Sequence, residues 1–161
     1  MTTIDELAEY MRRRDLLLVT AESCTAGLIA ARLADVPGAG DLLDCVFVTY
    51  SPQAKQRSLG VPESVLREHN LTSEPVARAM VEGAMRASRA NVGIADTGMA
   101  SADDPEIPPG TQCLAWAFRH GEDVRVHSET RRFPGDRQAV RRATAEYALL
   151  RIPFYYEQGG A

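Results

Sequence analysis

Three stretches of the chain combine residue types and spacings that suit chemistry. In the first, Thr20-Ala21-Glu22-Ser23-Cys24-Thr25-Ala26-Gly27, hydroxyls, a thiol and a carboxylate crowd one strand-to-helix junction. In an open α/β sheet such junctions lie at the carboxyl ends of strands, where helix N-termini offer free N–H groups to anions. The plainer use of Ser23 or Thr25 is to cap the helix, which is common for these residue types. A small cysteine such as Cys24 is more often packing than nucleophile.

The second stretch is Tyr50-Ser51-Pro52-Gln53-Ala54-Lys55. With Ser51 as cap and Pro52 as first helical residue, Tyr50 and Lys55 take positions whose side chains commonly meet. That predicts phenol and ammonium as neighbours, with Lys55 near the positive end of its helix, where its charged form is disfavoured. A lysine held partly neutral can act as a general base; the alternative is a solvated surface lysine.

The third stretch runs from Arg131 to Arg142 through Phe133-Pro134-Gly135-Asp136-Arg137. Arg137 and Arg141 are four apart and share a helix face. Arginine in a first helical turn opposes the helix dipole unless an anion or carboxylate compensates. The pair reads either as a phosphate or carboxylate grip or as salt bridges to local acids such as Glu146. No aromatic platform accompanies the arginines, which disfavours RNA binding. His69, His120 and His127 have no ligand spacing between them. Asp103, Asp104 and Glu106 form an acidic loop without ordered metal-ligand spacing.

The elements that must position these residues alternate. A helix with Ile4, Leu7, Ala8 and Met11 on one face precedes an apolar strand at Leu16–Thr20. A helix over Ala26–Ala34 ends at Pro37-Gly38, and the β-branched and aromatic run to Tyr50 is the second strand. Gly60 ends the helix that Ser51 opens; a short helix follows from Pro62, and a longer one runs from Ser73-Glu74-Pro75 to about Arg89. Val92–Ala95 is a third strand, and the proline-rich stretch 101–110 is a loop. Cys113–Arg119 and Val124–Arg132 form a hairpin, and a last helix runs from Asp136 to about Ile152, before Pro153. This order predicts one domain spanning residues 1–161. The expected fold is a three-layer α/β/α sandwich around a mixed, mostly parallel sheet. The tail 154–161 is expected to be peripheral, ordered in part by its aromatic residues.

The totals agree with that scale. At 161 residues, 45% hydrophobic and 25% charged, the chain is sized for one core and excludes the disordered and membrane classes. A net charge of −4 provides no general attraction to nucleic acid or acidic membranes, so any bound anion must be held by local arrangement. Cys24, Cys45 and Cys113 are odd in number and widely spaced, which points to reduced thiols in a cytoplasmic protein. The N-terminus lacks the basic start and apolar run of a secretion signal.

Together these stretches resemble the CinA C-terminal domain family, whose active members are nicotinamide mononucleotide (NMN) amidohydrolases. The resemblance covers about Leu7 to Leu150. It is carried by Thr20–Thr25, Val48-Thr49-Tyr50-Ser51 with Lys55, Ser73–Ala77, and Phe133–Arg137 with Val140-Arg141. It implies a homo-oligomer that hydrolyses the NMN carboxamide to nicotinic acid mononucleotide and ammonia, with no cofactor and no metal. It also implies Lys55, Tyr50 and Ser23 as catalytic positions, and Thr25, Thr97, Gly98, Arg137 and Arg141 as substrate-binding positions. Two departures from the family pattern stand out. Pro37-Gly38-Ala39-Gly40 replaces Pro-Gly-Ser-Ser, so Gly40 stands where a family serine, taken here as the nucleophile, is expected. Thr97-Gly98-Met99-Ala100-Ser101-Ala102-Asp103-Asp104 replaces a glycine-rich stretch, and its acids would repel a phosphate. These departures favour a degenerate member that retains a nucleotide or other small-anion site. The alternatives are an active amidase using Ser23 or Ser51, and an amidase for a less anionic substrate.

Overall fold

In a computed structural model, which describes residues 2–101 and 104–159, one five-stranded sheet is covered on both faces by helices. Its strands are β1 (Leu18–Glu22), β2 (Leu43–Val48), β3 (Val92–Met99), β4 (Thr111–His120) and β5 (Asp123–Arg132), in spatial order β2-β1-β3-β4-β5. β1 pairs in parallel with β2 and β3, whereas β4 is antiparallel to both β3 and β5. Four of the five strands therefore point the same way, and the late hairpin makes the sheet mixed.

The helices are α1 (Ile4–Arg12), α2 (Leu28–Ala34), α3 (Pro52–Leu59), α4 (Glu63–Glu68), α5 (Glu74–Arg86), α6 (Arg137–Leu150) and α7 (Ile152–Gln158). Side chains alternate across each strand, so β1 supplies both cores. Leu18 packs with Leu7, Met11, Leu33, Ile94, Trp116 and Leu149 on the face of α1, α2 and α6. Val19 and Ala21 pack with Met80, Val81 and Ala84 of α5 on the other face. This is the expected three-layer arrangement. Among the described residues, no helix is long and apolar enough to cross a membrane.

Two elements differ from expectation. β1 lies two residues further along the chain than its apolar run suggested, because Glu22 stays in the ladder, opposite Val48 and Asp96. Pro153 does not end the helical structure: it occupies the first turn of α7, where no N–H is needed. Residues 154–158 are thus helical, and Tyr155 is buried against Trp116, with ring centroids 4.7 Å apart. Ala102 and Asp103 lie outside the described residues.

Candidate active site

The carboxyl ends of β1, β2 and β3 open into one cavity of about 470 Å³. Ser23, Tyr50, Lys55, Thr97, Gly98 and Arg137 all line it, so six of the positions singled out in the sequence converge.

The floor is built by the junction after β1. Glu22 is fully buried, and its carboxylate accepts the N–H groups of Gly27, Ile29 and Ala30 and the hydroxyls of Thr20 and Thr25. It thereby caps α2 from outside the helix; the residue at the cap position, Gly27, makes no side-chain bond. Two expectations are corrected by this contact. Neither Ser23 nor Thr25 caps α2, and the N–H groups an anion would seek there are already taken by a carboxylate. The turn also bends sharply: Ala26 has φ +50°, a left-handed conformation that L-residues adopt at a cost.

Lys55 sits at the fourth position of α3, which Ser51 caps through the Ala54 N–H at 3.1 Å. Its side chain is 1% exposed. Nζ donates to Ser23 Oγ at 3.0 Å, to the Thr49 carbonyl at 2.7 Å and to the Tyr50 carbonyl at 3.1 Å. The solvated-lysine reading is excluded by that burial. Burial pushes the ammonium down to about 8, against the nearby charge of Asp96, which raises it. The expected meeting of ammonium with the Tyr50 phenol takes another form. The ammonium meets the Tyr50 backbone, while the exposed phenol accepts a hydrogen bond from Arg137 at 3.1 Å.

Arg137 and Arg141 diverge despite sharing a face of α6. Asp136 caps that helix through the Ala139 N–H. Arg137 reaches the cavity, where it touches the Tyr50 phenol and Ser101 Oγ. Arg141 donates to the Cys24 and Thr25 carbonyls at 2.9 and 3.1 Å, and so braces the Ser23 turn from behind. Glu146, proposed as an arginine partner, pairs with Arg32 at 3.6 Å.

Thr25 does not face the cavity. Its hydroxyl lies between Glu22 and Asp96, at 2.7 and 2.5 Å. Thr97 lines the cavity, but its hydroxyl donates to the Leu71 carbonyl. Gly98 lets buried Gln112 approach: a Cβ there would lie 2.1 Å from Gln112 Oε1. Asp104 stands at the cavity wall, hydrogen-bonded by Asn70 at 3.2 Å.

Gly40 is elsewhere. It is exposed, in a single 3-10 turn ahead of β2, and nothing lies within 4 Å of where its Cβ would be. Since Leu18 pairs with Leu43 and Glu22 with Val48, the start of β2 is at the sheet end opposite Ser23, about 20 Å away. Within this chain the expected nucleophile position is not at the cavity.

Two signals were missed in the sequence. Asp96, fully buried behind Ser23, accepts the Ser23 and Thr25 N–H groups; an acid in a central apolar strand was its mark. The other is compositional. Of the 18 basic Lys and Arg residues, Lys55 is the only lysine. A chain that otherwise uses arginine keeps lysine at the one place where an amine is buried beside a serine hydroxyl. Arginine, always charged, cannot take a proton there.

Known proteins resemble the chain over most of its length. A profile of the CinA C-terminal domain matches residues 2–153. A CinA-like protein of Akkermansia muciniphila is 46% identical over 142 residues, which are 87% of this chain but 34% of that longer protein. Nicotinamide-nucleotide amidohydrolase PncC of Pseudomonas putida is 44% identical over 150 residues, 92% of this chain and 91% of its own length. A crystal structure of a CinA superfamily protein from Escherichia coli superposes with a TM-score of 0.85 at 31% identity, covering 94% of this chain and 90% of that one. With a buried Ser–Lys pair at the sheet's carboxyl edge and this match over nearly its whole length, the chain belongs to the CinA C-terminal domain family.

Proposed function

We propose that this chain is a nicotinamide-nucleotide amidase that uses Ser23 as nucleophile and Lys55 as general base. The observation that carries the reading is the 3.0 Å contact between Ser23 Oγ and the amine of the only lysine, in a cavity that also holds Arg137. With its ammonium pushed down to about 8, Lys55 is neutral in about a tenth of molecules at pH 7. The neutral amine takes the Ser23 proton as Oγ attacks the carboxamide carbon. Collapse of the tetrahedral intermediate breaks the C–N bond, and Lys55 returns the proton to the departing ammonia. Water then gives a proton to Lys55 and attacks the ester; Ser23 Oγ leaves and takes that proton back. The sum is amide plus water to acid plus ammonia. No cofactor enters the scheme.

Arg137 is the cation placed to meet the substrate phosphate, and Tyr50, hydrogen-bonded to it, orients it. Thr97 and Gly98 shape the wall against which the substrate lies. Arg141 and Thr25 act indirectly, by fixing the Ser23 turn. The reading includes a homo-oligomer in the cytoplasm, where the three free cysteines stay reduced.

The degenerate alternative rested on Gly40 and on the acid-bearing loop; Gly40 is remote from the cavity in this chain, so its missing hydroxyl takes no nucleophile from the cavity, and hydrolysis is preferred. Asp104 at the cavity wall favours one variant of it, an amide whose far end is less anionic than a phosphate. The deciding experiment is ammonia release from NMN by the purified protein, with Ser23→Ala and Lys55→Ala as controls. Release that vanishes in both controls supports the amidase. No release, with NMN still raising the melting temperature, replaces it with a binding module. No release and no shift removes NMN as the ligand.

A further inference from the structure

Asp96 ends the apolar part of β3 and pairs in register with Glu22 of β1, so the two carboxylates lie side by side, both fully buried. The Thr25 hydroxyl lies between them, within hydrogen-bond distance of Glu22 Oε1 and of Asp96 Oδ1. A hydroxyl has one hydrogen, and both carboxylates cannot receive it. Glu22 already accepts four other donors: the Thr20 hydroxyl and the N–H groups of Gly27, Ile29 and Ala30. Asp96 has two backbone N–H groups besides Thr25, from Ser23 and from Thr25 itself. Asp96 thus has fewer donors than Glu22, and Asp96 is the carboxyl that takes a proton and returns it. Burial first, and then the charge of Glu22, push the Asp96 acid up to about 6 against the pull of its hydrogen bonds.

Protonated, Asp96 donates to Thr25 while Thr25 donates to Glu22. Ionised, it places a negative charge directly behind the Ser23 turn, held there by the Ser23 N–H. Its charge raises Lys55, whereas burial lowers it. The other charged or titratable groups around the pair are Glu22 from β1, the Cys24 thiol, Tyr50 and Asp104 at the cavity, and Arg137 and Arg141 from α6. The two arginines are fixed cations, and burial raises the Cys24 thiol further from ionisation. Asp96, pushed up to about 6, and Lys55, pushed down to about 8, are the two groups of this set whose titrations are brought toward neutrality.

We propose that Asp96 is a positioning residue of this site: its carboxylate anchors the Ser23 turn through two backbone N–H groups and supplies the charge that holds Lys55 protonated between proton transfers. The inference deepens the amidase reading and rests on it for its catalytic meaning. Its physical content is a charge coupling between Asp96 and Lys55.

The single lysine makes that coupling measurable without an activity assay. In protein carrying ¹³C-labelled lysine, the lone Cε resonance should show its main titration and a smaller, earlier step as Asp96 ionises. Asp96→Asn should abolish the small step and move the main midpoint down by about half a pH unit or more. A single-step curve for the unmodified protein overturns the proposal, as does an unchanged midpoint in Asp96→Asn. If that variant does not fold, the curve of the unmodified protein decides alone. Ammonia release from NMN in the same samples separates the two readings, because an inactive protein with a coupled lysine refutes the amidase and leaves the coupling standing.

Discussion

Lys55 Nζ and Ser23 Oγ lie 3.0 Å apart, although 32 residues separate them in the chain and they belong to different elements. Two independent devices create the contact. The Ser51 cap and Pro52 start α3 so that its fourth residue turns under the Thr49 and Tyr50 carbonyls. Glu22 takes over the capping of α2, which leaves the Ser23 hydroxyl for the amine. A serine next to a partly neutral amine is an activated nucleophile. Lys55→Arg retains charge and bulk but not the base. We expect it to lower kcat by on the order of a thousandfold or more, about as much as Ser23→Ala, with the double variant no worse than either. Steady-state ammonia release checks all three. In the unmodified protein, kcat/KM should climb with pH until it levels near 8, as the Lys55 ammonium loses its proton.

Arg137 is exposed at the cavity edge, with the Tyr50 phenol and Ser101 as neighbours. If it holds the phosphate, Arg137→Ala should raise the KM for NMN about tenfold to a hundredfold, in line with a charge-assisted hydrogen bond of roughly 1.5–3 kcal/mol. The dephosphorylated riboside should be affected little. Equal losses on both substrates would remove Arg137 from phosphate binding and leave it as a support for Tyr50.

The strands, the two-sided core and the late hairpin are legible in the sequence because each depends on local pattern: β-branched runs, apolar period and turn residues. The site is legible only where it depends on the same things. Ser51-Pro52 announces α3 and, with it, the position of Lys55, but no periodicity tells that this lysine is buried, because one of the groups around its amine, Ser23, comes from beyond the end of β1, 32 residues away. Thr25 reads as a cap from its type; it does not cap α2, since its hydroxyl is shared by a buried acid 71 residues away. Asp96 went unread for the complementary reason. An acid abutting the apolar run Val92–Ala95 is a local mark, but it takes the register with Glu22 to show that the side chain is inside.

The raised acid of Asp96 has a stability consequence. Between its unfolded value of 3.8 and about 6, the folded state binds more protons than the unfolded state. Stability from this group is therefore fully present below about pH 4 and is lost as pH rises through about 6. Asp96→Asn cannot lose it. The difference in melting temperature, variant minus unmodified protein, should move in the variant's favour between pH 4 and pH 7, by an amount equivalent to roughly 1–3 kcal/mol. Thermal melts at several pH values read this, and a difference constant with pH would assign Asp96 an unshifted acid.

Ala26, exposed and held at φ +50°, carries backbone strain on the turn that presents Ser23. A left-handed conformation costs an L-residue roughly 1–2 kcal/mol, and glycine returns part of that gain as chain entropy. Ala26→Gly should stabilise the protein by about 0.5–1 kcal/mol in denaturant melts. Ala26 is exposed and its methyl is not part of the cavity lining, so ammonia release should stay within about twofold.

Gly40 distinguishes a disarmed site from a complete one. At the end of β2 away from the cavity, with open space around it, a serine there meets no substrate bound between Ser23 and Arg137 of the same chain. Gly40→Ser should therefore leave stability within about 0.5 kcal/mol and leave ammonia release unchanged. A large gain in release would mean that this position reaches a cavity after all. In a homo-oligomer that cavity would belong to a neighbouring copy, and mixing Gly40→Ser protein with Ser23→Ala protein would expose it, because mixed assemblies would then exceed the sum of their parts.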